Sequence, residues 1–162
     1  MWDWKLSSEM YVSKDLIQEI IFSSLLQVPQ VPKFYGVSFT ADKKNFCDRV
    51  EHHISVAICS ENLNLEHIYS FWDAFKHLST NFIGWLRGLS SLCQAVRSLH
   101  LEGVRHQDLT PSNILFDLEN PSFPRAQLLD FATCATEKRN VFTGITKNYA
   151  APELFLKNKL IW

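Results

Sequence analysis

An α+β fold follows from three features of the sequence. Phe82, Trp85, Leu86, Leu89, Leu92, Cys93, Val96 and Leu99 recur at i, i+3, i+4 spacing, the period of an amphipathic helix. Lys33 to Thr40 (Phe34, Tyr35, Val37, Phe39) and His53 to Cys59 (Ile54, Val56, Ile58) are rich in β-branched and aromatic residues, as half-buried strands are. Ile114 to Phe116 and Ala126 to Leu129 flank the turn Asn120-Pro121 and read as a second, shorter hairpin.

The elements follow in order. Leu16, Ile17, Ile20, Ile21, Ser24 and Leu25 carry helical spacing, with Ser13 and Asp15 at the start and Pro29 and Pro32 beyond the end. Asn45 to His52 is predicted as a polar connection between the two long strands. A polar hinge at Ser60-Glu61-Asn62 precedes a second helix, marked by Leu65, Ile68, Tyr69, Trp72, Phe75 and Leu78. The third and clearest helix is slightly weakened by Gly84 and Gly88 and is stopped by Gly103. The apolar stripes read as core throughout.

With 46% apolar and 13% aromatic residues, 162 residues can bury one domain core. A net charge of -1 offers no basic footprint for nucleic acid, and no Lys/Arg run suggests a membrane surface. No apolar stretch approaches the roughly 20 residues that span a bilayer. The segment Met1 to Lys5 lacks the basic and apolar regions of a signal peptide. Cys47, Cys59, Cys93 and Cys134 show no metal-ligand spacing. Scattered thiols without a secretory signal predict a reduced, intracellular and cytoplasmic setting.

Chemistry concentrates late in the chain. His106-Gln107-Asp108-Leu109-Thr110-Pro111-Ser112-Asn113 puts an amide five residues after a carboxylate, and Asp130-Phe131-Ala132 adds a second carboxylate beyond the short hairpin. Tyr149-Ala150-Ala151-Pro152-Glu153 follows. An acid, amide and acid set of this kind suits phosphoryl transfer. Its order and spacing resemble the protein-kinase signature H-R-D-x-x-x-x-N, D-F-G and A-P-E.

The resemblance implies a protein-kinase-like α+β fold. Residues 1–162 would be a partial domain, with 1–60 a remnant N-lobe of one helix and two strands. Residues 61–162 would be part of a mainly helical C-lobe with the catalytic and activation loops. It implies Asp108 as the base for a substrate hydroxyl, Asn113 and Asp130 as Mg²⁺ ligands, and ATP as phosphoryl donor. Glu19 takes the place of the ion-pair glutamate on the first helix. Cys59, in the hinge, and Leu115 belong with Glu19 and Asp130 to the nucleotide site. Asp108, Asn113 and Asp130 are expected to converge on one cleft, with Phe131 packed against His106 and the first helix. Thr146 and Tyr149 resemble the end of the activation segment that docks peptides, which separates protein kinases from small-molecule kinases of related fold. The implied partner is a protein substrate, Ser/Thr hydroxyls being favoured.

The departures carry consequences. Gln107 replaces an arginine that pairs with a phosphorylated activation loop. Thr110 stands where a lysine contacts the γ-phosphate, and Ala132 replaces a flexible glycine. Ser23 stands where a larger apolar side chain normally stacks. By the same resemblance, the lysine partner of Glu19 and the glycine-rich loop fall upstream of Met1, and the C-lobe floor falls beyond Trp162. The chain taken alone is therefore expected to bind ATP weakly and transfer phosphate negligibly. The helix at Phe82 to Leu99 is expected to show uncovered apolar surface. The alternative reading is a kinase-like scaffold that binds partners and catalyses nothing.

Overall fold

The computed structural model describes residues 13–46, 49–61, 63, 66–136 and 146–152, and of residues 41–46 and 49–55 the backbone alone. Helix α1 spans Lys14–Leu25, and the Ser13 hydroxyl caps it by accepting from the Leu16 N–H at 3.1 Å. The long strands are β1, Phe34–Phe46, and β2, Arg49–Ser60, which pair antiparallel from Phe34↔Ser60 to Phe46↔Arg49. The predicted polar connection at Asn45 to His52 is thus largely paired strand. A ladder of backbone hydrogen bonds in a two-stranded ribbon does not require apolar side chains, so polarity misplaced the turn.

The helix predicted over Leu65 to Leu78 is also corrected. Strand β3, Ile68–Ser70, comes first, and helix α2 is only Phe71–His77; Leu65 lies outside the described residues. Ile68 and Tyr69 are good strand formers with a partner edge available in β5, Ile114–Asp117. Ser70 ends the strand and caps α2, accepting from the Asp73 N–H at 3.3 Å. Helix α3, Phe82–Leu101, agrees with expectation, capped by Asn81 and ended by Gly103 at φ 69°. Strand β5 pairs with both β3 and β6, Arg125–Leu128, in a three-stranded sheet of order β3-β5-β6. Strands β4, Val104–Arg105, and β7, Ala135–Thr136, form a further short pair that periodicity cannot reveal.

The core lies between α3 and the β3-β5-β6 sheet. Ala95 and Leu99 of α3 face Phe116, Ala126 and Leu128, and the Phe116 ring sits against Phe71 and Trp85. Phe22, Leu26 and Val31 extend the same core toward α1. The apolar stripes are not core throughout: Phe82, Leu86 and Cys93 of α3 and Ile17 and Leu25 of α1 are exposed. The face of α1 that is buried holds Gln18, Phe22 and Ser23. Exposed apolar surface on α3 was expected, and Phe82, Ile83 and Leu86 supply it.

Gly84 and Gly88 are close-packing positions rather than mere weak points. A Cβ at Gly84 would lie 2.5 Å from the Asn81 side-chain nitrogen and 2.6 Å from the Pro121 carbonyl oxygen. Alanine is normally favoured over glycine in a helix by about 1 kcal/mol. Here Gly84→Ala is expected to destabilise by about 1–3 kcal/mol, because a backbone carbonyl must move. Urea unfolding reads the sign; a stabilised variant would show that the loop yields.

Candidate active site

Antiparallel pairing of β4 with β7 brings together the segments that follow β4 and precede β7. His106 to Thr110 and the 3-10 turn Pro111–Asn113 lie on one side, and Leu129 to Cys134 on the other. His106 joins them. It is buried, its Nε2 donates to the Leu129 carbonyl at 2.9 Å, and its ring lies 5.4 Å from that of Phe131. Its Nδ1 accepts from the Asp108 N–H at 3.4 Å, and its own carbonyl accepts from the Thr133 hydroxyl at 3.0 Å. The Leu129 N–H donates to the Asn113 carbonyl at 3.0 Å, closing the junction.

Asp108 is held from two sides. The Asn113 side-chain amide donates to its carbonyl at 2.9 Å and to Oδ2 at 3.2 Å, while the Thr146 hydroxyl donates to Oδ1 at 2.6 Å. Asp130 is exposed, and its Oδ1 accepts from the Ala132 N–H at 3.2 Å. Gln107 and Asp130 both take left-handed backbone, at φ 67° and 62°. Such conformations cost about 1 kcal/mol or more for a residue with a Cβ and cluster where function demands a set geometry.

A cleft of about 470 Å³ opens beside Asp130. It is lined by Asp15, Leu16 and Glu19 from α1, Ile58 and Ser60 from β2, and Leu129, Asp130 and Ala132. Burial pushes the Glu19 carboxyl above its ordinary range, and the Asp130 carboxylate adds to the shift. The Phe131 and Ala132 N–H groups and the Ser23 hydroxyl oppose it, yet Glu19 Oε2 is buried without a hydrogen bond. The Ser23 hydroxyl reaches Glu19 Oε1 at 3.4 Å. Cys59 is exposed and absent from the lining, because alternate side chains of a strand face opposite ways and Ile58 and Ser60 take the cleft side. Leu115 is likewise outside the lining, half-buried between the buried Ile114 and Phe116.

Two contacts escape a reading of the sequence. Buried Gln18 donates from its side-chain amide to the Cys134 carbonyl, 116 residues away, tying α1 to the segment after Asp130. A glutamine inside a helical pattern gives no sign of that partner. Thr146, read as part of a peptide-docking element, contacts Asp108; a hydroxyl after an unpatterned stretch gives no distance information. Thr110 is buried and bonded to the Ser112 hydroxyl at 2.7 Å, so it turns inward. Glu153 lies outside the described residues.

The oxygens available suit a hard cation. The Asn113 side-chain nitrogen is committed to Asp108, leaving its amide oxygen, and Asp130 offers a carboxylate at the cleft. Mg²⁺ commonly takes one or two such protein ligands, with water and phosphate completing six. Among the described residues no group of three or more His, Cys, Asp or Glu forms a closed metal cage.

Burial lowers the His106 pKa, against the pull of the Leu129 carbonyl and the Asp130 and Asp108 carboxylates. A base with a depressed folded pKa contributes stability above its unfolded pKa, near 6.5, which is lost as pH falls from that value through the lower folded one. The stability advantage of the parent over His106→Asn should therefore shrink between pH 7.5 and 5. Denaturant titrations at the two pH values test this; a constant difference would count against it. Glu19 is common to both proteins, so its opposite dependence cancels.

Helix α1 and the β1-β2 ribbon, followed by α2, α3 and short strands whose loops carry Asp108, Asn113 and Asp130, make an α+β fold of the kinase type. The chain belongs to the protein kinase family: the protein kinase domain matches residues 5–160. It is 25% identical over 162 residues to the hormonally up-regulated neu tumor-associated kinase homolog of Xenopus tropicalis, covering 96% of this chain and 20% of that protein. It is 30% identical over 141 residues to the human dual specificity protein kinase CLK2, covering 72% of this chain and 27% of that one. A dual serine/threonine and tyrosine protein kinase of Apis mellifera is 34% identical over 76 residues, 44% of this chain and 7% of the relative. The chain thus spans less than a third of each of these relatives. Among the described residues no helix is long and apolar enough to cross a membrane.

Proposed function

We propose that this chain forms catalytic machinery for transferring the γ-phosphoryl group of ATP to a Ser/Thr hydroxyl of a protein. The observation that carries the reading is the fixing of the Asp108 carboxylate by Thr146 and Asn113, whose carbonyl accepts from the N–H of Leu129, a residue lining the Asp130 cleft. Asp108 would orient the acceptor hydroxyl and receive its proton. Asn113 and Asp130 would hold Mg²⁺, with the nucleotide reaching past Ile58 and Ser60 to the hinge at Cys59 and to Leu115. Bound MgATP supplies the phosphoryl group and the positive charge that offsets its phosphates. In this reading residues 1–60 form the N-lobe part, and 61–162 the C-lobe part that meets the protein substrate.

The second reading, a kinase-like scaffold without catalysis, draws on Thr110, which is buried and bonded to the Ser112 hydroxyl. Radiolabelled transfer from ATP to a protein substrate by the full-length kinase domain separates the two. Transfer that drops by about 10²–10⁴-fold in Asp108→Ala supports the first. Transfer undiminished in that variant removes Asp108 from the chemistry. Mg²⁺-dependent nucleotide binding without transfer favours the scaffold.

A further inference from the structure

Two arginines flank the loop between β5 and β6, and they are used differently. Arg125 is paired with Asp117 at 2.6 Å and Glu119 at 3.3 Å. Arg87, on the exposed side of α3, meets no carboxylate among the described residues. One guanidinium nitrogen donates to the Ser122 carbonyl at 2.9 Å, and the group lies 4.4 Å above the Phe123 ring.

Ser122 sits in an exposed turn with a set shape. The Phe123 N–H donates to the Asn120 carbonyl at 2.9 Å, and the Ser122 N–H donates to Asn120 Oδ1 at 3.0 Å. The Ser122 hydroxyl makes no hydrogen bond with any described residue. The turn rests on the N-terminal end of α3, where the Asn81 side-chain amide donates to the Pro121 carbonyl at 3.3 Å. That helix has 20 residues and no acidic residue in its first turn, so its positive end is not offset there. A recess of about 300 Å³, bounded by Arg87, Gln94 and Phe123, leaves room beside the loop.

We propose that Ser122 is a phosphorylation site whose phosphate is received by Arg87. A separate protein kinase would supply the group from ATP. The Ser122 Oγ forms the new bond to the γ-phosphorus, the bond from that phosphorus to the β,γ-bridging oxygen breaks, the hydroxyl proton passes to that enzyme's base, and ADP leaves. The added charge meets the guanidinium in charge-assisted hydrogen bonds. The opposing carboxylates of Asp117 and Glu119 are already held by Arg125. The modification would fasten the β5–β6 loop to α3, on the helix that carries much of the core.

Tandem mass spectrometry of the chain isolated from its own cells is expected to find phosphate on Ser122. A Ser122 peptide found only unmodified overturns the site. With phosphoserine installed at position 122, Tm at low salt should rise by about 2–4 °C. The rise should shrink at high salt and vanish in Arg87→Gln, an exposed position whose replacement leaves the core intact. A rise of equal size in Arg87→Gln overturns the role of Arg87.

Discussion

In the full-length kinase domain, Asp130→Asn is expected to weaken Mg²⁺-dependent nucleotide binding by at least about 100-fold. Replacing residues that merely orient a metal ligand typically costs about 10–100-fold in affinity, and a direct carboxylate ligand should cost no less. The substitution is nearly isosteric. Asparagine tolerates the left-handed backbone at φ 62°, and its amide oxygen can still accept from the Ala132 N–H. The exposed site should therefore keep its fold and lose only charge. Removing that charge also removes one of the two causes that raise the Glu19 carboxyl, so Glu19 should titrate lower in the variant. Calorimetric titration with ATP, with and without Mg²⁺, reads the first effect, and NMR titration of the Glu19 carboxyl reads the second. Unchanged Mg²⁺-dependent affinity would remove Asp130 from the metal site.

Phe116→Ala should destabilise the fold by about 3–5 kcal/mol. Phe116 has no exposed surface, and its ring centroid lies 6.0 Å from that of Phe71 and 5.7 Å from that of Trp85. Its other neighbour across α3 is Gly88, where a Cβ would come 3.3 Å from the Phe116 ring. A glycine has no side chain with which to fill the space left behind, so the cavity should persist. Gly88→Ala in the Phe116→Ala background should recover part of the loss, whereas the same change in the parent crowds the ring. Denaturant unfolding of the four proteins measures this cycle. A loss below about 1 kcal/mol would mean that the core collapses around the gap.

Sequence alone determined the class of fold and supplied the residues proposed to carry chemistry. The acid–amide–acid spacing around Asp108, Asn113 and Asp130 and the long stripe of α3 are local patterns, and local patterns are what a one-dimensional reading resolves. Capping chemistry placed the start of α1 at Ser13, and Gly103 placed the end of α3, for the same reason. What only the tertiary structure decided rests on partners distant in the chain. Ile68 and Tyr69 became a strand because β5 offered them an edge, which no helical spacing could foretell. Gly84 and Gly88 proved to be contact points because Pro121 and Phe116 approach them closely. The short pairing of β4 with β7 sets His106 against Leu129 and Phe131, and so brings the two aspartate segments together. Thr146 reaches Asp108 across 38 residues and Gln18 reaches Cys134 across 116. Such contacts depend on the direction of a side chain after folding, and composition and period carry no record of that direction.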